Sequence, residues 1–176
     1  MNYHDMATRV ASGDMNALRE IYQQCGAELL AFARTLANGN VADAEDIVQE
    51  CLVRVWQGRR HLASVRDVRA YLFTMVRNIF LNLARKESRE ARRRAQQGES
   101  APLFVEGPPD DPVEPGKLGG ALGSLPEEQK QVVILKVWGG FTLAQIAEIL
   151  GVPEKTTASR YRYGLEKLKR LLGDAM

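Results

Sequence analysis

The chain has 176 residues, 45% of them hydrophobic, and a formal net charge of +2 at pH 7, which allows one medium or two small packed domains. No apolar run approaches the ~18 residues of a membrane span, and the N-terminus lacks the apolar core of a signal peptide, so we expect a cytoplasmic protein. The near-neutral total conceals alternating blocks, because residues 1–60 carry −2, 61–94 carry +6, 95–124 carry −4 and 125–176 carry +2.

The first part of the chain predicts helices that each have one apolar face. A short helix is expected from about His4 to Ala11, and Asp14 can cap a longer one that continues to the break at Asn38. The next helix should run from about Val41 to Gln57. Its polar side holds Asp43, Asp46, Gln49 and Glu50.

The polar side of this third helix has two interpretations. Asp46 and Glu50 are four residues apart, so they are neighbours on the helix surface. Taken alone, the pattern favours a solvated acidic face. The other interpretation is a face that docks a basic partner helix.

A longer amphipathic helix should follow the loop at residues 58–64, with Ser64 and Asp67 as its N-terminal signal. Its buried stripe would be Val68, Tyr71, Leu72, Met75, Val76, Ile79, Phe80 and Leu83. Its exposed side would carry Arg66, Arg69, Arg77, Asn78, Asn82 and Arg85. Phe73 is the aromatic that lies off the stripe. Basic residues with interleaved aromatics can hold single-stranded DNA, whereas the plainer interpretation, which we favour for Tyr71 and Phe80, assigns the aromatics to the core.

The composition changes between residues 95 and 123. Five of the seven prolines, six glycines and a block of acidic residues fall in this stretch. Such a composition is typical of an extended linker with little secondary structure. We therefore expect an all-α chain with two small helical domains, at residues 1–94 and 124–176, joined by a flexible linker at 95–123.

The second domain predicts a helix that begins at a Ser124–Glu127 capping box and ends at Gly139. Another capping box, Thr142–Gln145, should start the next helix, and Gly151 suits a left-handed C-cap at its end. Pro153 then fits the first turn of the last helix. These signals predict a helix-turn-helix, whose second helix can enter the DNA major groove.

The last helix has an apolar and a basic side. Its buried stripe would be Thr157, Tyr161, Leu165, Leu168 and Leu172. Its opposite face and edge would carry Lys155, Thr156, Ser159, Arg160, Arg162 and Tyr163. A helical hairpin with a solvated basic face is the plainer interpretation, but the agreement of turn chemistry and charge favours DNA binding.

The sequence predicts no catalytic residue, no metal site and no cofactor. Cys25 and Cys51 fall on apolar helical faces, outside any metal-ligand spacing, and we interpret them as buried residues in a reducing compartment. His4 and His61 belong to no ligand cluster. No phosphate-binding loop, nucleophile elbow or zinc motif occurs.

Three sequence blocks occur in a set order: DAEDIVQECLVRVW, AYLFTMVRNIFLNLARKESR and SLPEEQKQVVILKVWGGFTLAQIAEILGVPEKTTASRYRYGLEKLKRLL. In order and spacing they resemble the extracytoplasmic-function sigma factors, the small promoter-specificity subunits of bacterial RNA polymerase. The blocks cover most of both predicted domains, which makes the resemblance far more specific than a single helix-turn-helix.

The resemblance implies that residues 1–94 form sigma region two. Asp46, Gln49 and Glu50 would then dock on the clamp coiled coil of the polymerase β′ subunit. The basic helix that carries Arg77 and Arg85 would read and help melt the minus-ten element. Asn78 would lie near a flipped-out base there, in a pocket shaped by the loop around residues 61–66.

The resemblance also implies that residues 124–176 form sigma region four, whose last helix reads the minus-thirty-five element. The linker would pass through the polymerase near the RNA path. The implied partners are core polymerase, through its β′ and β subunits, promoter DNA and a candidate anti-sigma factor. No cofactor and no membrane insertion are implied.

The recognition helix departs from the family pattern. Residues 155–160 read KTTASR where many members have GTVKSR or GTVRSR. Thr157 replaces a usual core valine and Ala158 replaces a basic residue that often touches DNA, so the promoter preference of relatives cannot be transferred.

Two other classes of protein compete with this interpretation. A stand-alone helix-turn-helix regulator needs no acidic docking helix followed by a basic helix that carries aromatics, and such regulators usually dimerise. An enzyme, such as a recombinase with a helix-turn-helix tail, would need a nucleophile or metal constellation that the sequence does not offer.

Overall fold

The structure is a computed structural model that describes residues 2–96 and 117–173. Within these two ranges the regular elements are nine α-helices, which confirms the all-α prediction. In chain order they are α1 (Tyr3–Ala11), α2 (Met15–Leu36), α3 (Val41–Gln57), α4 (Arg59–Leu62), α5 (Val68–Gln96), α6 (Lys117–Gly123), α7 (Glu127–Val137), α8 (Leu143–Leu150) and α9 (Glu154–Gly173). Across the same ranges, no helix combines the length and hydropathy that a membrane crossing requires.

Side-chain caps start the first helices. Asp14 accepts hydrogen bonds from the backbone N–H groups of Asn16 and Ala17 and so begins α2 as predicted. Asn40 accepts one from the N–H of Asp43 at the start of α3. The bounds of α3 therefore agree with the sequence prediction.

Two predicted caps are wrong, for the same physical reason. The cap of α5 is Asp67, whose Oδ1 accepts a 2.9 Å hydrogen bond from Ala70 N–H, while the Ser64 hydroxyl donates to the His61 carbonyl of α4. Likewise, the Ser124 hydroxyl donates to the Gly120 carbonyl of α6, and α7 starts without a side-chain cap. Each serine thus closes the end of a short helix that the sequence did not predict.

Those two short helices also correct the predicted loop and linker. Residues 58–64 were expected to be a loop but contain α4, and the last part of the predicted linker forms α6. Residues 97–116 of that linker lie outside the described residues. The predicted boundaries of the two domains are therefore not tested there.

Phe73 was predicted to lie off the buried stripe of α5, and this is wrong. Its side chain is 1% exposed, with ring centroids of Phe32 and Phe141 at 5.5 and 5.0 Å. Phe141 belongs to the C-terminal half, which packs on α2 and α5. A second face of α5 is therefore buried by residues some seventy positions further along the chain.

The cysteines behave as small apolar residues, as predicted. Cys25 and Cys51 are both buried and free. Burial raises the pKa of Cys25 to about 11 and that of Cys51 to about 12, so both are neutral thiols at pH 7.

The packing of α9 differs from its predicted stripe at one position. Leu165 is 40% exposed, and the buried residue is Gly164, where an added Cβ would lie 2.9 Å from Val133 Cγ2. A glycine lets α9 approach α7 more closely than leucine would. Thr157 is fully buried as predicted, and its hydroxyl donates to the Pro153 carbonyl at 3.5 Å.

Candidate docking groove and nucleic-acid interface

The acidic side of α3 forms one wall of a groove that is open to solvent. The groove lies between α3 and the second half of α5 and has a volume of about 720 Å³. Asp46, Gln49 and Glu50, which the sequence singled out together, all line it and all are exposed. Glu50 Oε1 also accepts a 2.6 Å hydrogen bond from Arg54 Nε on the next turn.

The floor of the groove is apolar, which the sequence analysis missed. It is formed by Ile47, Val53, Ile79, Phe80 and Leu83. Val53 and Leu83 are 49% and 44% exposed, so two large apolar side chains are accessible within one groove. Carboxylates around an apolar floor suit a partner helix that has a basic and an apolar side.

The polar residues of α5 divide between two directions. Asn78 and Arg85 are exposed and, seven residues apart, share one helix face. Arg77 is half-buried and points elsewhere, since a Cβ placed on Gly151 would lie 3.7 Å from its Nη1. Burial, with repulsion from Arg85, lowers the pKa of the Arg77 guanidinium.

The segment before α5 is ordered by its own side chains. The Arg59 guanidinium lies over the Trp56 ring at 4.9 Å and donates to the Trp56 carbonyl. The His61 ring meets Tyr71 of α5 edge-on, with 6.2 Å between centroids. Polar and aromatic groups therefore surround the start of α5, the helix that also carries Asn78.

The helix-turn-helix signals are confirmed at α8 and α9. Thr142 and Gln145 form the predicted capping box, with 3.2 Å between Gln145 N and Thr142 Oγ1. Gly151 ends α8 in the left-handed region at φ 63° and ψ 38°, where a Cβ would be strained.

The predicted recognition residues lie at the N-terminal half of α9. Lys155, Arg162 and Tyr163 are exposed, whereas Thr156, Ser159 and Arg160 are half-buried. The Arg162 guanidinium lies 4.9 Å from the Tyr163 ring centroid and donates to the Tyr163 hydroxyl, so the two side chains form one unit.

Arg160 has a partner that the sequence did not predict. Its Nη2 lies 2.7 Å from Glu128 Oε2 on α7. The ion pair ties the recognition helix to the first turn of α7, and nothing in the local spacing could have indicated it. Among the described residues, no group of three or more His, Cys, Asp or Glu is arranged to hold a metal ion.

Comparison with known protein families matches two separate segments of the chain. Residues 21–90 match the model of sigma-70 region 2, and residues 116–168 match a model of sigma-70 region 4. The ECF RNA polymerase sigma factor SigL of Mycobacterium tuberculosis is 32% identical over 168 residues, which cover 92% of either chain. EcfG of Rhodopseudomonas palustris is 31% identical over 89% of this chain and 86% of its own length.

Solved structures agree with this assignment. The sigma factor RpoE of Bartonella quintana, solved with the anti-sigma factor NepR, is similar with a TM-score of 0.67 and 28% identity, over 88% of this chain and 98% of RpoE. CnrH, solved with the cytosolic domain of CnrY, has a TM-score of 0.65 at 24% identity over 98% of either chain, and supports the fold.

The chain belongs to the extracytoplasmic-function (ECF) family of RNA polymerase sigma factors. It is a transcription initiation factor that directs core polymerase to promoters, so its partners are core polymerase and promoter DNA. The interpretation as a stand-alone regulator is not favoured.

Proposed function

We propose that the groove between α3 and α5 is the surface through which this sigma factor holds core polymerase. Asp46, Gln49 and Glu50 would contact the clamp coiled coil of β′, with the β subunit as a further contact of the chain. The observation that carries the proposal is one groove with a mainly acidic rim, on whose apolar floor Val53 and Leu83 are exposed. Charge complementarity at the rim would set orientation and association rate, and the floor would add affinity.

Promoter reading would be divided between the two domains. Asn78, with Arg85 on the same face, would contact the melted minus-ten strand beside the segment at residues 61–66. An exposed amide can hydrogen-bond a base edge, whereas an arginine can grip phosphate. Arg77 would join this site only if its side chain moved away from the turn at Gly151.

Replacing Asn78 with alanine should reduce open-complex formation by roughly 10- to 100-fold, the range for losing one good base contact. Closed-complex binding should change little, because duplex DNA does not present the flipped base. Permanganate footprinting of the bubble measures the first effect, and a filter-binding titration measures the second. The matched control is Ser88→Ala, which removes another exposed polar side chain of α5. A bubble of wild-type intensity in Asn78→Ala would rule out this assignment.

The minus-thirty-five element would be read by α9. We assign Lys155 and Arg160 to phosphate, because they flank the face, and Ser159, Arg162 and Tyr163 to positions closer to base edges. Thr156 lies on the same DNA-binding face. The ion pair with Glu128 would orient the Arg160 guanidinium toward the phosphate backbone of the DNA. Stacking on Tyr163 would in the same way orient Arg162.

Arg162→Ala and Lys155→Ala should separate these two roles. We expect Arg162→Ala to cost about 1–3 kcal/mol at one promoter position and to relax the preference there. Lys155→Ala should weaken all sequences alike and lower the salt slope by roughly one unit. Holoenzyme binding to a library varied in the minus-thirty-five element, at two salt concentrations, measures both. If Arg162→Ala leaves both the base preference and the salt slope unchanged, α9 does not face the major groove of the DNA as proposed.

We further infer that the chain acts in the cytoplasm, beside the polymerase, and is not itself a catalyst. An anti-sigma factor is a candidate regulator, because the similar sigma factor RpoE was solved in complex with the anti-sigma factor NepR. The overall proposal is tested by adding the purified chain to core polymerase, transcribing genomic fragments and mapping the start sites. A shared promoter motif upstream of new start sites is expected, and transcripts identical to those of core alone would refute it.

A further inference from the structure

The last part of α5, residues 82–96, extends away from the core of the described structure. Ile79 is the last buried residue of the helix, at 2% exposure. Of the later side chains that the structure describes from residue 82 onward, all are exposed except that of Glu90, which is half-buried. About four helical turns, roughly 22 Å long, therefore serve no core. In a helix that is polar on all sides, the arrangement of the charges indicates what it can bind.

The charges of this extension are sorted by helix face. Arg85, Arg89 and Arg92 follow at spacings of four and three residues, so they lie within about 60° around the helix axis. On the opposite side Arg94 Nη2 lies 3.6 Å from Glu90 Oε2. Across the described residues, no carboxylate forms an ion pair with the first three arginines, which we call the arginine stripe. A merely solvated helix would be expected to mix opposite charges on each face.

The arginine stripe continues the line of Asn78. Seven residues, or two helical turns, separate Asn78 from Arg85, so the amide and the guanidinium groups share one face. The line from Asn78 to Arg92 is roughly 21 Å long. This length matches about six base pairs of B-form DNA. The inference rests on the proposed function here, because it takes Asn78 as the contact with the melted minus-ten strand.

The candidate docking groove uses another side of the same helix. Leu83, Lys86 and Glu87 line that groove, whereas no member of the arginine stripe does. The stripe therefore stays accessible when a partner helix occupies the groove. One helix can in this way contact a protein on one side and DNA on the other.

The chemistry of the stripe suits phosphate groups of duplex DNA. Guanidinium groups donate hydrogen bonds to phosphate oxygens in a fork, and such contacts carry no sequence information. Residues 82–96 contain no aromatic residue, so they offer no platform on which single-stranded bases could stack. Duplex DNA also presents the denser row of charges, about one per 1.7 Å. Because the melted bubble has to reach the start site, the intact duplex beside the minus-ten element lies on its upstream side.

We propose that the arginine stripe binds the phosphate backbone of the duplex directly upstream of the melted minus-ten element, whatever its base sequence. The stripe would anchor the polymerase complex to the spacer between the two promoter elements and add affinity without specificity. Arg92 lies beyond residue 90, where the match to sigma-70 region 2 ends. The proposal therefore depends on the charge pattern of this chain.

An exchange of two neighbouring residues tests the stripe at constant net charge. Ala91→Arg with Arg92→Ala keeps the composition but moves one guanidinium group about 100° around the helix, off the stripe. Arg89→Ala removes one stripe arginine, and its matched control is Arg94→Ala, which removes the same charge from the opposite side. Alanine is the best helix former, so the extension should stay helical, and circular dichroism verifies this.

Each full-length variant is titrated, without polymerase, with a labelled duplex of about 30 base pairs and arbitrary sequence, at salt from about 50 to 200 mM. We expect Arg89→Ala and the exchange each to lower the slope of log affinity against log salt by roughly one unit, and to weaken binding about ten-fold at 0.1 M salt. Arg94→Ala should change both quantities clearly less. Equal losses for Arg89→Ala and Arg94→Ala, with no effect of the exchange, would overturn the proposal. So would losses that occur only with single-stranded oligothymidine.

The position of the contact is tested with the polymerase complex on a promoter found by start-site mapping. Neutral methylphosphonates in place of the phosphates directly upstream of the minus-ten element should weaken wild-type binding by about ten-fold per lost contact. The loss should be smaller for Arg89→Ala, because one contact is already absent. An equal loss in the two proteins would overturn the proposed position. If the polymerase complex initiates at no promoter, the proposed function fails, and the titration with arbitrary duplex still decides whether the stripe binds DNA.

Discussion

Replacing Phe73 with alanine is expected to lower the free energy of unfolding by about 3–5 kcal/mol, the range for truncating a buried phenylalanine. The side chain is 1% exposed between Phe32 and Phe141, so its removal leaves a cavity bordered by both domains. Denaturant unfolding followed by circular dichroism measures the change. Phe73→Leu, which keeps most of the apolar volume, should cost clearly less.

Tyr163→Ala is the matched control for this experiment. Tyr163 is an aromatic of similar size but is 50% exposed on α9, so its loss should change the unfolding free energy by no more than about 0.5 kcal/mol. The opposite pattern for Phe73, normal stability with weakened binding to single-stranded promoter DNA, would favour the stacking role that its place off the stripe suggested.

The double substitution Asp46→Ala with Glu50→Ala should weaken binding to core polymerase by about 10- to 100-fold. Two carboxylates are lost from the rim of the groove, and Arg54 loses its 2.6 Å partner. An unpaired positive charge would then face the basic partner helix that we propose. Fluorescence titration with core polymerase at two salt concentrations measures the loss. The difference between wild type and variant should shrink as salt rises.

Glu45→Ala tests whether core polymerase binds the groove itself or is attracted only by the overall negative charge of α3. Glu45 is an exposed carboxylate on the same helix, but it does not line the groove. We expect its removal to leave core affinity within about two-fold of wild type, as for a surface substitution away from the contact. Equal losses for Glu45→Ala and the double variant would mean that α3 attracts polymerase only through net charge. No loss in either, with normal helicity, would remove the docking assignment.

Local signals predicted the helix-turn-helix well because its determinants are local. A capping box acts over three residues, and a left-handed glycine acts at its own position, so Thr142, Gln145 and Gly151 are each confirmed. The bounds of α3 are confirmed for the same reason. Ser64 and Ser124 show the limit of this reasoning, since a hydroxyl can as well close the preceding short helix as cap the next one.

Features that depend on distant packing could not be predicted in this way. Helical periodicity identifies one buried face, but α5 is covered on a second face by Phe141, and this buries Phe73. Periodicity also favoured Leu165 over Gly164, although the close approach of α9 to α7 needs the residue without a side chain. The acidic rim of the candidate groove was visible in the sequence, whereas its apolar floor appears only when α3 and α5 are placed side by side.

The buried and the exposed positions of α9 are different residues, and this affects how the sequence of the helix can change. Its fold is maintained by Thr157, Gly164 and Leu168, which are buried, whereas Lys155, Arg162 and Tyr163 are exposed and contribute little to packing. Substitutions at the exposed positions are therefore nearly free of stability cost. If α9 reads the minus-thirty-five element as we propose, single changes on this exposed helix face can alter the set of target promoters while the fold stays constant. On the same proposal, this face is the place to engineer a sigma factor with a different promoter preference.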